Sequence, residues 1–229
     1  MRNPKSKIRN PKSPTLSQLP FFAALGEHDL LEIAPYVHQR TFSPGQIIAV
    51  EGQPCQAVYC VAQGVVRMYR LSLQGREQVL AYLGSGQFFN LVPVLDGGPN
   101  LATAEAVTEA SLYSISCQRF HQIMRDHHEV ARAVLEHLAA EVRRLSDLVE
   151  GLALYTVRAR LARFLLAQAA GQPSSHQWTQ EEIATNIGTV REMVGRTLRD
   201  FAIAGLIRRE RGRTVVLDRD GLEREAAGG

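Results

Sequence analysis

Apolar residues recur with three different periods along the 229-residue chain, and each period predicts a different kind of element. From Leu19 to about Leu31 they fall three and four apart, which predicts one or two short helices. Short runs rich in Val, Ile, Tyr and Leu follow at 46–50, 58–61, 65–71, 78–83, 102–107 and 112–115. Turn signals separate them at Pro44-Gly45, Gly52, Gly64, Gly75, Gly84 and Gly97-Gly98. Short strands joined by glycine turns, with no helical crossovers, fold as an antiparallel sandwich or barrel. After Cys117 the period lengthens. Ala131, Leu135, Leu138, Val142, Leu145, Val149 and Leu152 are spaced alternately four and three apart, the seam of a coiled coil over three heptads. Such a stripe requires a partner helix. Val130, Val134 and Leu148 widen it, so one flank is expected to pack on the β domain while the seam joins two copies of the chain.

The last third reads as a helix over 157–170, a stop at Gly171 and Pro173, two further helices, and two short strands at 206–208 and 214–217 around Gly212. Thr179-Gln-Glu-Glu182 has the form of a capping box, and Thr189-Val-Arg-Glu192 has the form of a second. Between them Ile183, Ala184 and Ile187 make an apolar face, and Gly188 stands where a helix-ending left-handed residue is needed. Two capped helices joined by a glycine turn predict a helix-turn-helix. Val194, Leu198 and Phe201 give the second helix a buried side.

The opposite side carries the candidate chemistry. Arg191, Glu192 and Arg196 lie near the start of the second helix, the part that enters the major groove in this motif. Arginine pairs with guanine O6 and N7, and Glu accepts from cytosine N4, so the trio suits a half-site containing G·C pairs. Thr179, Gln180, Thr189, Arg199, Arg211 and Arg213 are the candidate phosphate contacts, with Arg208 and Arg209 beside them.

Charge supports this placement only locally. The whole chain is +3, but residues 158–216 hold ten arginines against five acids, a balance that favours phosphate-rich partners. No apolar run reaches the roughly 18 residues of a membrane span, and no secretory signal opens the chain, so a soluble cytoplasmic protein is expected. Cys55, Cys60 and Cys117 form no CxxC pair, which argues against a disulfide framework and a structural zinc site, and no metal is expected. Residues 1–17, polar and basic with Arg-Asn-Pro-Lys-Ser repeated, read as a disordered tail. No protease, phosphate-loop or paired-carboxylate motif stands out, so an enzyme is not expected.

From 19 to 217 the sequence resembles the family of the cyclic-AMP receptor protein and the fumarate-nitrate regulator (CRP/FNR). The most specific stretch is Thr179-Gln-Glu-Glu-Ile-Ala184, Gly188, Arg191-Glu192 with Val194 and Arg196, and Gly205-Leu206-Ile207. Phe42-Ser-Pro-Gly45, Gly64-Val65, Gly75-Arg76-Glu77 and Gly86-Gln-Phe88 carry it in the N-terminal half. The resemblance implies an α+β fold with four parts: the tail (1–17), an antiparallel β-roll of the cyclic-nucleotide-binding type (18–124), a long dimerisation helix (125–155) and a winged helix-turn-helix (156–229). It also implies a homodimeric transcription regulator, an activator that binds double-stranded DNA at a palindrome with TGTGA-like half-sites and contacts RNA polymerase.

The sequence departs from the family at the effector. Where cyclic-nucleotide-binding members carry Gly-Glu for the ribose and Arg-Ser for the phosphate, this chain has Asn90, Leu91, Leu101 and Ala102. The adenine-facing pair on the dimer helix appears as Leu145 and Ser146. Unpaired ligand groups in a buried pocket cost about 1–3 kcal/mol each, so cyclic AMP is not expected to bind and no cofactor is expected. The dimer seam expected from spacing is Leu135, Leu138, Val142, Leu145, Val149 and Leu152. Three thiols are too few for a [4Fe–4S] cluster. Haem stays open, because seven His residues are present, and a haem- or redox-dependent gas sensor is the alternative reading. An apolar ligand in a space lined by Phe89, Leu91, Leu101 and Leu145 is a further option, as is no effector at all.

Overall fold

A computed structural model describes residues 16–72, 75, 77–170, 178–210 and 213–228, with the side chains of 170 and 213 left aside. The chain divides into two compact units between Ala139 and Ala140.

The first unit is built on two four-stranded antiparallel sheets. One has the order β1-β8-β3-β6, from β1 (His38–Phe42), β8 (Ala110–Ser116), β3 (Ala57–Gln63) and β6 (Phe88–Phe89). The other has the order β2-β7-β4-β5, from β2 (Ile47–Ala49), β7 (Thr103–Ala106), β4 (Val66–Leu71) and β5 (Glu77–Leu83). Strand β3 shows why the sequence folds this way. Its first five residues are all buried because both faces are covered. Ala57, Tyr59 and Val61 join a core with Phe42, Val66, Leu83, Phe89, Ala104, Ala106 and Leu112. Val58 and Cys60 point the other way, into a second core with Leu16, Phe21, Phe22, Ile33, Phe120, Val130 and Val134. On the outer face of the other sheet Arg67 bridges Glu77 at 2.6 Å and its cross-strand neighbour Glu105 at 3.0 Å.

Helices α1 (Glu27–Ile33), α2 (Leu91–Asp96) and α3 (Cys117–Asp126) decorate this unit, and α4 (His128–Leu154) runs on beyond it. Val130 and Val134 of α4 are buried in the β-unit core, as their spacing predicts, and Leu138 packs partly against the same core.

The second unit contains α5 (Val157–Ala170), α6 (Gln180–Ile187), α7 (Arg191–Ile203), the hairpin β9 (Ile207–Glu210) with β10 (Arg213–Val216), and α8 (Arg219–Ala227). Its core gathers Leu161, Leu165, Ile183, Ile187, Val194, Leu198, Phe201, Ile207 and Leu222. Val194, Leu198 and Phe201 are each no more than 1% exposed, as predicted.

The structure corrects four expectations. Of the one or two short helices expected from Leu19 to about Leu31, α1 forms, and the stretch before it is a run of turns: the N–H groups of Leu19, Phe22 and Leu25 each donate to the carbonyl three residues back. A three-residue repeat of turns places apolar residues at helix-like spacing, which is why the pattern misleads. Leu16, inside the expected tail, is fully buried in the core, while residues 1–15 of that tail lie outside the described residues. Strands β1 and β6 carry no apolar alternation, β1 because it is an edge strand and β6 because it has two residues. Fourth, Thr189 does not cap α7, whose N-cap is Val190. The helix stop at Gly171 and Pro173 and the Gly212 turn also lie outside the described residues.

Candidate nucleic-acid interface

Thr179 forms the predicted capping box at the start of α6. Its hydroxyl accepts from the Glu182 N–H at 3.2 Å, and the Glu182 carboxylate accepts from the Thr179 N–H at 2.7 Å. At the other end Gly188 is left-handed, with φ 65° and ψ 53°. Gly188 and Thr189 both donate their N–H groups to the Ala184 carbonyl, which ends the helix.

That use of Thr189 explains why the second expected capping box does not form. Helix α7 begins at Arg191 behind Val190, with no side-chain cap; the Met193 and Val194 N–H groups donate to the Val190 carbonyl instead. Thr189 stands one residue too early, its backbone committed to closing α6. Three residues therefore separate the two helices, which is the tight turn the motif needs.

The turn is gripped from below. Arg160 of α5 donates through Nη2 to the Gly188 carbonyl at 3.3 Å, and burial lowers its pKa from the usual arginine range. A β-carbon at position 188 would come within 3.0 Å of Leu152 Cδ2 and 3.2 Å of Leu148 Cδ1. Nearby, Gln180 Oε1 would lie 3.0 Å from a β-carbon at Gly195, so the Gln180 side chain at the start of α6 rests on the middle of α7. Neither Arg160 nor Gly195 was singled out by spacing. Both act by position in space, and a lone Arg and a mid-helix Gly carry no local pattern.

With the buried side fixed by Val194, Leu198 and Phe201, the side chains of Arg191, Glu192, Arg196 and Arg199 are exposed. Glu192 and Arg196 are four residues apart and share one strip of the helix, with Arg191 beside them. Arg199 also donates through Nε to the Gly195 carbonyl at 3.2 Å. Arg208 and Arg209 are exposed on β9, Arg208 paired with Glu210 at 2.6 Å. Arg211 lies outside the described residues, and of Arg213 only the backbone, in β10, is placed.

Three arginines counted in the basic span are used inside the unit. Arg158 makes a two-pronged pair with Glu225 of α8, each contact 2.5 Å, and stacks over Phe201 at 4.7 Å. That pair holds the Glu225 carboxyl below the usual carboxylate range. Arg163 donates to the Ala226 carbonyl at 3.0 Å and lies over Tyr155. Arg160 holds the turn. Among the described residues of this unit, exposed arginines stand at Arg191, Arg196 and Arg199 on α7 and at Arg208 and Arg209 on β9.

Within the first unit, the expected effector residues Phe89 and Leu91 enter different cores. Phe89 stacks on Tyr59 at 5.0 Å inside the core between the sheets, whereas Leu91 belongs to the core beneath the helices. Asn90, in the left-handed region with φ 63°, donates through its amide to Asn100 Oδ1 at 3.0 Å. Leu101 is 53% exposed and Ala102 fully buried. In the second unit Leu145 is exposed, and the Ser146 hydroxyl donates to the Val142 carbonyl at 2.9 Å.

The seam residues Leu135, Val142 and Val149 are 66%, 62% and 65% exposed, with Leu145 and Leu152 about half exposed. No helix among the described residues is long and apolar enough to cross a membrane.

Residues 39–127 match the cyclic nucleotide-binding domain model, and residues 159–225 match the Crp-like helix-turn-helix domain model. The CRP-like cAMP-activated global transcriptional regulator of Mycobacterium tuberculosis is 32% identical over 193 residues, covering 81% of this chain and 86% of the relative. The Cyclic AMP receptor protein of Thermus thermophilus is 31% identical over 210 residues, covering 91% and 97%. Among solved structures, FixK2 from Bradyrhizobium japonicum superposes with a TM-score of 0.67 at 25% identity, covering 84% of this chain and 98% of that one.

Proposed function

The chain belongs to the CRP/FNR family of transcription regulators, and on that premise we propose that it binds a palindromic DNA site with TGTGA-like half-sites as a homodimer, without cyclic AMP. The observation that carries this reading is the exposed trio Arg191, Glu192 and Arg196 at the start of α7, held by a capped α6 and a glycine turn. In this role Arg191 and Arg196 donate to guanine O6 and N7, and Glu192 accepts from cytosine. Thr179, Gln180, Thr189, Arg199, Arg211 and Arg213 take phosphates and set affinity and register.

Homodimerisation is supported by the exposed seam on α4, since a run of two-thirds-exposed Leu and Val on a helix face is costly in water. Independence from cyclic AMP is supported by what stands at the ligand positions. Leu91 is buried among apolar residues, Ala102 has no polar group, and the Asn90 amide is already paired with Asn100. A cyclic phosphate would meet no cation at 101 or 102, and a ribose hydroxyl no carboxylate at 91. Activation through RNA polymerase in the cytoplasm completes the reading, by likeness to the family.

Selection of bound sequences from a random duplex library, with no ligand added, tests it. The expected result is an inverted repeat with G·C pairs in each half-site. Recovery of a single unrepeated site, or of no common sequence, would overturn it.

A further inference from the structure

A cavity of about 370 Å³ opens on the first unit, lined by none of the residues expected to hold an effector. Pro54 and Cys55 ahead of β3, Gly98 and Pro99 after α2, and Cys117 and His121 of α3 form much of its wall. Two thiols stand side by side in it. Cys117 Sγ lies 4.0 Å from Cys55 Sγ and donates to the Cys55 carbonyl at 3.2 Å. The sheet holds them there: the Cys117 N–H donates to the Gln56 carbonyl at 3.2 Å, and Ala57 pairs with Ser116 between β3 and β8.

A disulfide needs its sulfurs about 2.05 Å apart. Closure therefore asks for roughly 2 Å of sulfur travel, within the reach of side-chain rotation. Both thiols are half-buried and border the cavity, which is large enough to admit a small reagent. The third thiol, Cys60, is 1% exposed and burial pushes it up to about 12.

The pair is wired to the segment 90–100, the stretch that stands where relatives of the nucleotide-binding type hold their ligand. Its two ends are tied together, the Asn90 amide donating to Asn100 Oδ1 at 3.0 Å, while Val94, Gly97, Gly98 and Pro99 within it share the cavity wall with both thiols. At its middle, the Val94 carbonyl accepts from His121 Nε2 at 2.6 Å, one turn beyond Cys117. Its last residue, Asn100, accepts from Asn90 and donates to the Val50 carbonyl at 3.0 Å.

We propose that Cys55 and Cys117 are a dithiol site that closes to an intramolecular disulfide by exchange with a small-molecule disulfide, and that closure tightens the segment 90–100. Burial and the neighbouring Cys117 sulfur push the Cys55 thiol up to about 11, and in the exchange Cys117 takes the first step. Its thiolate attacks one sulfur of the oxidant, forming a mixed disulfide and releasing one thiol. Cys55 then gives up its proton and attacks the Cys117 sulfur, closing the bond and releasing the second thiol. Two electrons and two protons pass from the protein to the oxidant. The chemistry stands by itself; its meaning as a redox input to a regulator rests on the DNA-binding reading.

The test treats the reduced full-length chain with oxidised glutathione, quenches with an alkylating reagent, and reads peptides by mass. The expected product has lost about 2 Da, with Cys55 and Cys117 joined in one linked peptide. Cys55→Ser is expected to stop at a glutathione adduct on Cys117. Amide exchange over 90–100 should slow severalfold on oxidation of the natural chain and stay unchanged in Cys55→Ser. A lasting adduct on the natural chain, two thiols still free, or a disulfide with unaltered exchange would each overturn the proposal. DNA binding by the reduced chain is measured alongside, and its failure would sink the regulator reading while leaving the mass result intact.

Discussion

Glu192 and Arg196 share a strip of α7, and Arg191 stands next to it, so one face of one helix carries the whole candidate base-reading set. Replacing Arg191 by Ala should cost about 1–3 kcal/mol on the preferred site and relax the preference at one base pair. Arg199→Ala, at a phosphate position, should weaken all sequences alike, and competition binding against single-base variants separates the two patterns. These residues were legible in the sequence because the turn before them is marked by Thr179, Glu182 and Gly188. What supports them was not: Arg160 reaches the distant Gly188 carbonyl, Gly195 meets the Gln180 side chain of another helix, and Thr189 looked like a cap although its N–H closes α6. Gly188 is the residue where backbone and packing agree. Gly188→Ala adds a β-carbon in the left-handed region and against Leu152, so a loss of about 1–2 kcal/mol in stability is expected, read as a lowered midpoint in urea. The Arg158–Glu225 pair gives a pH signature. Because Arg158 lowers the Glu225 pKa in the folded state, its contribution is present above the unfolded carboxyl range near 4.3 and lost as pH falls through the folded value. Glu225→Gln should therefore flatten the acid limb of a stability-against-pH curve while lowering stability at neutral pH.

Periodicity predicted the elements it could see. α4, α5, α6 and α7 are where their apolar spacing put them, and six of the β runs became β2, β3, β4, β5, β7 and β8. The rest lacked a periodic signal. β1 is a polar edge strand, β6 is two residues long, and the turns at 19–25 imitate a helix by repeating every three residues. α8 was missed because its anchoring is tertiary: Leu222 enters the core, while Arg158 and Arg163 of α5 hold its C-terminal end. On α4 the heptad seam is exposed from Leu135 to Leu152 apart from Leu138, which leans on the β unit. Val149→Asp places a charge in the C-terminal part of that seam, at a residue that does not contact the Gly188 turn. Sedimentation should show the natural chain as a dimer and Val149→Asp as a monomer, with DNA affinity falling because one half-site is bound instead of two. A variant that stays dimeric would place the interface elsewhere.

At the scale of the molecule, a family architecture is kept while its ligand positions are filled with Leu91, Leu101 and Ala102. On the reading proposed above, α7 is presented without a nucleotide, and DNA affinity should fall steeply with salt as condensed counterions are released. The most direct measurement is a fluorescence titration of the purified chain onto a palindromic duplex with TGTGA-like half-sites, run with and without cyclic AMP at fixed salt. The account predicts a dissociation constant of about 10⁻⁸ M or tighter in both titrations. Binding that emerges only after cyclic AMP is added would contradict it.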